Sequence, residues 1–230
     1  ESHVDRSILS GRQFVVTDVV GTYALLEAAR EAAVSRYVQV STDEVYGSIP
    51  SGAWTEESPL LPNSPYSASK AGGDLQVRAA FRTYGFPALI TRGSNTYGPY
   101  HYPEKLIPLS ITNLLEGKKI PLYGDGKQSR DWLHVDDHAL GILAVLEHGV
   151  PGEIYNLGSD EEHENMAVAR MLLRARGKGE EWIEFVPDRP GHDRRYALDS
   201  SKALKLGWRP RTTLAEGLTA TVAWYAAHED

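Results

Sequence analysis

The clearest hydrophobic pattern in the chain is a run of β-branched and aromatic residues at 36–42, RYVQVST. Such a run is typical of a buried strand in a parallel sheet. A helical pattern follows at 68–84, ASKAGGDLQVRAAFRTY, with Pro65 just ahead of its first turn. Further on, 130–149 begins like a strand and continues as a helix. The apolar positions of that helix are Ala139, Ile142, Leu143 and Leu146.

Two carboxyl groups follow the first predicted strand. Asp43 and Glu44 come directly after Thr42, at the carboxyl end of the strand, where open α/β sheets place their ligands. Adjacent carboxyl groups in such a place are costly unless their pKa values separate, with one protonated as an acid and the other ionised as a base. The alternative is that both cap the next turn and face water.

A tyrosine and a lysine lie four residues apart at 66 and 70. They share one helical face if the helix begins by Tyr66. A lysine ammonium near a phenol favours the phenolate, so the pKa of Tyr66 is expected to fall towards working pH. Tyr66 is then a candidate base for a sugar hydroxyl that is being oxidised. An isolated pair with this spacing is usually a surface tyrosine and a solvated lysine, but the preceding strand and carboxyl groups favour the catalytic interpretation.

Composition excludes several classes of protein. The 230 residues suffice for one large α/β domain or two small ones, and 41% hydrophobic content is ordinary for a globular protein. The formal charge of −7 argues against nucleic acid as the main partner. No apolar run approaches the length of a membrane span. The absence of cysteine excludes disulfides and zinc–thiolate sites and fits a reducing cytosol, and eight scattered histidines indicate no metal site.

A glycine-rich dinucleotide-binding turn is missing from the sequence. A Rossmann-type fold needs such a turn to hold a pyrophosphate at a helix N-terminus, and GDGK at 124–127 is only a lone turn. Either the protein uses no dinucleotide, or the chain is an N-terminally incomplete piece.

Several longer segments resemble the extended short-chain dehydrogenase/reductase family, and in particular its dTDP-glucose 4,6-dehydratases. They are ESHVDRS (1–7), STDEVYG (41–47), SPYSASKA (64–71), SNTYGPYHYPEKLIPL (94–109), YGDGKQSRDWLHVDDH (123–138), GEIYNLG (152–158) and DRPGHDRRYALD (188–199). The resemblance runs from Glu1 to about Tyr225. Family members carry a glycine-rich NAD loop upstream of the first of these segments, so we expect an incomplete N-terminus.

The resemblance implies an α/β fold, with a Rossmann-like doubly wound parallel sheet whose N-terminal strands are missing from the chain and a smaller α/β substrate-binding domain. It assigns 1–100 to the NAD-binding part with the catalytic residues. It assigns 101–230 mainly to nucleotide-sugar binding, with 123–150 returning to the Rossmann sheet. In the family, helices equivalent to 14–33 and to the helix after Ser69 pair across a homodimer. Both segments carry more apolar residues than one buried stripe requires, although these residues would also fit under the sheet.

The resemblance also implies a reaction on dTDP-glucose, with NAD as a cofactor that is reduced and reoxidised in one cycle. Tyr66, helped by Lys70, takes the proton of the 4-hydroxyl, and Thr42 hydrogen-bonds the C4 oxygen. Glu44 then removes the C5 proton, and Asp43 protonates the 6-hydroxyl as it leaves as water. The product is a 4-keto-6-deoxy sugar nucleotide, and the cytoplasm is the expected location.

The implied binding residues fall into two sets. The cofactor contacts are Thr17, Tyr66, Lys70 and Thr96. The substrate contacts are Ser2, Thr42, Asn95, Lys105, Leu106, Pro121, Leu122, Tyr123, Arg130, Asn165, Asp188, Arg189, Pro190, Gly191 and His192. Residue type also supports a substrate contact by Arg130, because its planar guanidinium group suits a diphosphate oxygen. Taken singly, each polar member fits an ordinary surface or turn position equally well.

Two departures and two alternatives stay open. Asp18 stands where the family usually has asparagine, and Thr96 stands where a second asparagine usually follows Asn95. One alternative is a sugar-nucleotide epimerase or a uronic acid decarboxylase, which shares the Tyr–Lys pair but does not need both carboxyl groups. The other is a truncated product that folds poorly or binds nucleotide without turnover.

Overall fold

The computed structural model describes residues 1–228 as two layers of helices and strands. The helices are α1 (Val4–Leu9), α2 (Arg12–Phe14), α3 (Gly21–Glu31), α4 (Pro65–Tyr84), α5 (Leu106–Leu115), α6 (Val135–His148), α7 (Asn165–Ala175), α8 (Ser201–Leu204) and α9 (Leu214–Ala227). The strands are β1 (Tyr37–Thr42), β2 (Ala88–Gly93), β3 (Asn95–Tyr97), β4 (Ile120–Tyr123), β5 (Ser129–His134), β6 (Ile154–Leu157), β7 (Glu162–Glu164) and β8 (Ile183–Val186). Within residues 1–228, no helix combines the length and apolar character that a membrane span requires.

The first layer is built on a parallel sheet in the order β1-β2-β6. Thr42 pairs with Gly93, and Gly93 pairs with Leu157, so the carboxyl ends of all three strands meet at one edge. The parallel α/β architecture predicted from the sequence is confirmed. The strand predicted at 36–42 is also present, but Val40 is 42% exposed, so β1 is not buried along its whole length.

A continuous helical run joins α2 and α3 through a π-helical segment (Val15–Val20), called the π segment below. Such wide turns are uncommon and occur often at functional sites. The π segment crosses α4 at Gly73, where a Cβ atom would lie 2.6 Å from the carbonyl oxygen of Asp18. The absence of a side chain at Gly73 therefore allows this close approach of the two backbones.

Helix α4 begins earlier than its hydrophobic pattern predicts. Ser64 caps the helix, and the Ser64 and Ser67 side chains each accept from the other's backbone N–H, with Pro65 in the first turn. The helix ends at Gly85, whose φ of 64° is the left-handed conformation that glycine adopts most easily. Because α4 starts at Pro65, Tyr66 and Lys70 lie one turn apart on the same helix.

The second layer contains β3, β5 and β7 in one sheet and β4 paired with β8 in another. Helices α5, α7 and α9 surround a core centred on Ile111, Leu114, Ile120, Val168 and Leu172. Strand β3 follows β2 after a single residue, Ser94, so the chain passes directly from the edge of the first sheet into the second layer. The candidate site lies at this passage.

Helix α6 follows β5 and packs on the first sheet, against β1 and β2. It buries Asp137, Gly141 and Val145, whereas Leu143 and Leu146 are 44% and 38% exposed. Of the apolar positions noted in the sequence, Leu143 and Leu146 therefore do not lie on the buried face. A Cβ atom at Gly141 would lie 3.0–3.1 Å from Trp208 and Leu157, so this glycine brings the helix close to its neighbours. Strand β5 pairs with β3 and β7, and the strand that rejoins the first sheet is β6.

Candidate active site

A cavity of about 690 Å³ opens between the carboxyl edge of the first sheet and the second layer. The predicted site residues that line it are Ser2, Thr42, Asp43, Glu44, Tyr66, Asn95, Thr96, Lys105, Leu106, Pro121, Leu122, Tyr123, Arg130, Asn165, Arg189 and His192. Residues distant in the sequence thus meet at one place. The predicted residues outside the lining are Thr17, Lys70, Asp188, Pro190 and Gly191.

The end of β1 directs three side chains towards the cavity. Thr42 is the last residue of the strand and caps a short 3₁₀-helix, Asp43–Tyr46. Its hydroxyl oxygen accepts a hydrogen bond from the Glu44 backbone N–H at 3.3 Å, and the hydroxyl donates to Asp43 Oδ1 at 3.2 Å. The change from extended to 3₁₀ backbone therefore places a hydroxyl and two carboxyl groups side by side.

The two carboxyl groups have different surroundings. Asp43 is 1% exposed, and its Oδ2 has no hydrogen-bond partner within residues 1–228. Burial raises the pKa of Asp43 well above its ordinary value, and the neighbouring charges of Glu44 and Asp131 raise it further. Burial also raises the pKa of Glu44, but Arg189, Arg130 and Lys105 oppose this rise.

This difference favours a protonated Asp43 beside a more readily ionised Glu44. It agrees with the separation of pKa values expected from the sequence. The alternative in which both groups face water is wrong, because both line the cavity and burial is the largest influence on each pKa.

Tyr66 is held in the first turn of α4 by hydrogen bonds to its backbone. Its N–H donates to Ser7 Oγ at 3.1 Å, and its carbonyl accepts from Ser69 Oγ at 2.7 Å. The ring is 8% exposed and packs edge-on against Phe14, with 6.2 Å between ring centroids. The phenol is thereby fixed beside the carboxyl groups that end β1.

The pKa of Tyr66 is raised well above its ordinary value, which contradicts the sequence-based expectation. Burial is the largest cause, and the charges of Glu44, Asp18 and Asp43 add to it, whereas a hydrogen bond with Thr42 opposes it. Lys70 donates to the Val40 carbonyl at 2.9 Å. The sequence pattern identified the neighbouring lysine but not the desolvation and the carboxylates that outweigh it.

Three cationic side chains face the carboxyl groups. Lys105 Nζ donates to the Ser2 carbonyl and lies 5.9 Å from the centre of the Tyr66 ring. Burial lowers the pKa of Lys105, and the charge of Glu44 opposes this effect. Arg189 Nη1 lies 3.9 Å from Asp5 Oδ2, and the buried Nε of Arg189 has no hydrogen-bond partner in the described part of the chain. These groups make this side of the cavity suited to an anionic ligand.

Arg130 is also on this wall, but its side chain is already engaged. It is 4% exposed, and its guanidinium donates to the backbone carbonyls of Ser129, Asp193 and Arg194 at 2.7–3.4 Å. The same group stacks over the Tyr196 ring at 4.3 Å. The guanidinium group is thus held in a fixed orientation at the cavity wall. The residue type alone did not indicate that this group would already be engaged by backbone carbonyls.

Similarity to known proteins extends over almost the whole chain. The GDP-mannose 4,6 dehydratase family model matches residues 1–221. The chain belongs to this family. It is 52% identical to a dTDP-glucose 4,6-dehydratase of Streptomyces niveus over 226 residues, which cover 98% of this chain and 67% of that protein.

Solved structures in and around the family have the same fold. DesIV, a dTDP-glucose 4,6-dehydratase of Streptomyces venezuelae solved with NAD and dTDP bound, has a TM-score of 0.98 and 54% identity. The match covers 100% of this chain and 71% of that one. A UDP-glucuronic acid 4-epimerase of Bacillus cereus, in complex with UDP-glucuronic acid and NAD, has a TM-score of 0.88 and 31% identity. That match covers 93% of this chain and 68% of the epimerase chain.

The cavity of this GDP-mannose 4,6 dehydratase family member contains residues that sequence reasoning missed. They include Ser94, His101, Glu104, Trp132 and His138. All five lie inside segments that carried the family resemblance, so position within those segments was the available signal. His138 was hidden in a helical pattern. Its Nδ1 lies 2.7 Å from Thr96 Oγ1, and burial lowers its pKa to about 4.

Part of the cavity wall fits the reactive part of NAD. Ser94 Oγ and Asn95 Oδ1 are buried and have no hydrogen-bond partner within residues 1–228, so they are open to an amide such as that of nicotinamide. Tyr66 and Thr96 line the same cavity, and Lys70 lies one turn along α4 from Tyr66. These four polar positions and Lys70 would hold the group. Thr17 is exposed on the π segment and does not reach this wall.

The loop at 188–192 contributes unequally to the cavity. Arg189 and His192 line it, whereas Asp188 bonds His192 Nδ1 at 2.5 Å and accepts from Gln128 Nε2 at 3.0 Å. Gly191, with a φ of 67°, packs where a Cβ atom would lie 2.8 Å from the Asn63 carbonyl. Asp188 and Gly191 therefore shape the loop that brings Arg189 and His192 to the site.

Proposed function

We propose that this protein converts dTDP-glucose to dTDP-4-keto-6-deoxyglucose and water, with NAD as the redox partner. The observation that carries the proposal is the pair of a buried Asp43 and a half-buried Glu44, which lie beside Tyr66 and Thr42 in one cavity with cations on its wall. A buried acid next to a more readily ionised carboxylate is what an elimination requires, because one group must donate a proton while the other accepts one.

The first step is oxidation at C4. When bound, NAD supplies the acceptor for the hydride that leaves C4 and later returns it to C6. Tyr66 takes the proton of the 4-hydroxyl, and the Thr42 hydroxyl hydrogen-bonds the C4 oxygen. The pKa of Tyr66 must fall from its raised value for this step, so a positive charge next to the phenol in the loaded site is part of the proposal.

The second step is elimination of water. The 4-ketone acidifies the C5 proton, which Glu44 accepts as the C5–H bond breaks. The electron pair forms the C5–C6 double bond, and the C6–O bond breaks as Asp43 donates its proton to the leaving hydroxyl. Glu44 then returns its proton to C5 as C6 is reduced. The proton that Tyr66 accepted replaces, by way of solvent, the proton that Asp43 gave up, so water is the only group lost and the cycle is redox-neutral.

The roles of the two layers follow from this chemistry. The β1-β2-β6 layer holds the reacting end of the sugar and the cofactor, and residues of 101–230 hold the nucleotide part. Lys105 and Arg189 face the Glu44 side of the cavity and suit a diphosphate. Asn165 Oδ1 is buried without a hydrogen-bond partner in the described chain, which leaves it open to a donor on the ligand.

An epimerase is the second candidate, since a UDP-glucuronic acid 4-epimerase shares the fold. Epimerisation at C4 uses a tyrosine base but needs no acid–base pair for C5 and C6. The identity of 54% to DesIV against 31% to the epimerase favours the dehydratase reaction.

A Glu44→Gln variant tests the proposal. The protein is incubated with NAD and dTDP-glucose, and the 4-keto-6-deoxy product is followed by its alkaline absorbance. The parent should form product, whereas Glu44→Gln should be slower by about 10²–10⁴-fold, the usual contribution of a general base. Reduced NAD should then accumulate on the variant, because oxidation at C4 precedes the blocked step.

The matched control is Glu57→Gln, which changes an exposed carboxylate outside the cavity. Its rate should equal that of the parent. Interconversion of hexoses by the parent without loss of water would support the epimerase instead, and release of carbon dioxide from a uronic acid substrate would support a decarboxylase.

We also propose a homodimer in the cytoplasm. Large apolar side chains on the π segment, α3 and α4 are exposed: Val16, Val20, Tyr23, Leu25 and Leu75. Several such residues on adjacent helices favour a protein interface over separate solvated positions. The cytoplasmic location rests on a cysteine-free composition.

A further inference from the structure

A carboxyl group lies behind the proposed base, outside the cavity lining. Asp18 belongs to the π segment and is 8% exposed. Its Oδ2 accepts a hydrogen bond from Ser69 Oγ at 2.7 Å. Neither residue lines the cavity, so the reaction proposed above assigns no role to either.

Ser69 connects this carboxyl group to Tyr66. The same hydroxyl lies 2.7 Å from the Tyr66 carbonyl oxygen, so its single proton is shared between two acceptors. On the other side, the Tyr66 N–H donates to Ser7 Oγ, which in turn donates to the Val4 carbonyl at 2.6 Å. The backbone of Tyr66 is thus held at both of its polar atoms.

Asp18 is itself fixed by the crossing of two helices. Its carbonyl accepts from Thr22 Oγ1 at 2.7 Å, and the same carbonyl packs against Gly73 of α4. The π segment widens the helix at this point and carries the Asp18 side chain towards Ser69. The backbone at Asp18 is therefore held against α4, with the carboxyl group within hydrogen-bond distance of Ser69.

We propose that Asp18 is a positioning residue that holds Tyr66 in place through Ser69, and that its charge, acting through space, sets the pH range in which this tyrosine accepts a proton. The proposal rests on the dehydratase reaction described above, in which Tyr66 is the base. The charge of Asp18 opposes formation of a phenolate, and it is among the causes of the raised pKa of Tyr66.

Other charged and titratable groups surround the phenol on the packed elements. They are Asp43 and Glu44 of the 3₁₀-helix, Lys70 of α4, Lys105 ahead of α5, and His3 and Asp5 around the start of α1. Among the acidic groups Asp18 is distinctive because it lies outside the cavity lining. Its charge can be removed without changing a group that touches the substrate.

The test compares the pH dependence of kcat/KM in Asp18→Asn and in the parent. Activity requires deprotonated Tyr66 and therefore rises with pH through its pKa. Removal of the carboxylate should lower that pKa, so the rising limb should move to lower pH while KM for dTDP-glucose stays unchanged. The control is Glu116→Gln, which removes an exposed carboxylate at the end of α5 and should leave the limb in place.

A second variant, Ser69→Ala, separates position from charge. It retains the carboxylate but breaks the connection to Tyr66, so kcat should fall about ten- to a hundredfold, as for a misplaced catalytic group. The rising limb should remain where it is in the parent. Far-UV circular dichroism and thermal melting check that both variants fold.

A direct spectroscopic measurement separates this inference from the proposed reaction. Tyrosine labelled with ¹³C at Cζ reports ionisation, and the Tyr66 signal is the one lost in Tyr66→Phe. At an alkaline pH where the far-UV spectrum is unchanged, Asp18→Asn should show a larger ionised fraction of Tyr66. Equal fractions and coincident limbs in Asp18→Asn and the parent would overturn the inference. A parent that forms no 4-keto product would instead overturn the reaction, leaving the ionisation measurement to decide the role of Asp18.

Discussion

At the scale of single residues, the site depends on keeping a carboxylic acid neutral inside the protein. Asp43 is almost fully buried, and its Oδ2 has no hydrogen-bond partner among residues 1–228. An ionised carboxylate in such a place is unfavourable, so the proton stays on. The feature that suits Asp43 to donate a proton also makes it a source of instability in the folded chain.

The first prediction concerns the stability of Asp43→Asn. A carboxyl group whose pKa is raised by folding binds its proton more tightly in the folded state than in the unfolded state. Its contribution to the free energy of unfolding therefore becomes less favourable as the pH rises above the pKa of the carboxyl group in the unfolded chain, about 3.9. Asp43→Asn removes this penalty, so its Tm should exceed that of the parent near pH 7, with a smaller difference at about pH 4.

Thermal melts of both proteins at the two pH values check this prediction. Asp136→Asn is the control, because the Asp136 side chain is 83% exposed. The difference in Tm between this variant and the parent should be the same at both pH values. A lower Tm for Asp43→Asn near neutral pH would mean that the carboxylate is ionised and stabilised in the folded chain. The variant should in either case lose the elimination step.

The sequence predicted which side chains would meet, but not the electrostatics that they create. Thr42, Asp43, Glu44 and Tyr66 could be placed together because strand ends and the start of a helix are local patterns. The pKa of Tyr66 depends on desolvation and on Asp18, which lies 48 positions earlier in the chain. Such influences belong to the tertiary structure and have no local signal.

At the scale of elements, the crossing of the π segment with α4 decides where Tyr66 lies. Gly73 permits the contact, since a Cβ atom there would lie 2.6 Å from the Asp18 carbonyl and 3.2 Å from Thr22 Oγ1. The nearer atom belongs to the backbone, so relief requires one helix to shift. A shift of α4 would carry Tyr66 with it.

The prediction at this scale is that Gly73→Ala destabilises the protein, although alanine is the better helix former by about 1 kcal/mol. Overpacking typically costs about 1–3 kcal/mol, so the Tm should fall and kcat should fall with it. Gly21→Ala is the matched control on the opposite helix, where a Cβ atom would be 3.6 Å from its nearest neighbour. Its Tm should equal or exceed that of the parent. Equal melting temperatures for both alanine variants and the parent would show that the helices separate at no cost.

Helix α6 shows why element faces are harder to predict than element existence. The strand and helix of 130–149 were found from their pattern, and both are present as β5 and α6. The pattern does not show which face is buried, because a glycine at 141 and an aspartate at 137 are buried while Leu143 and Leu146 are exposed. The Asp137 carboxylate accepts from the backbone N–H groups of Arg211 and Thr212, so its burial is compensated by a distant loop.

At the scale of the whole molecule, the cavity exists because two layers meet where β2 passes into β3. No local pattern shows that Ser2, Lys105 and Arg189 line one cavity, and the resemblance to a family was the signal that grouped them. The groups proposed to be catalytic come from the first layer and the cationic groups largely from outside it. Activity therefore requires the layers to hold their relative position.

The last prediction concerns the proposed dimer. Val16, Val20 and Tyr23 are spaced to share one helical face, and each is 50–54% exposed. If this face meets a second copy, Val16→Asp places a charge in an apolar interface and should convert the dimer to a monomer in light scattering after gel filtration. Leu61→Asp is the control, because Leu61 is 56% exposed outside these helices, and this variant should stay dimeric. A parent that is monomeric at all accessible concentrations, or a Val16→Asp variant that remains dimeric, would remove this face as the interface.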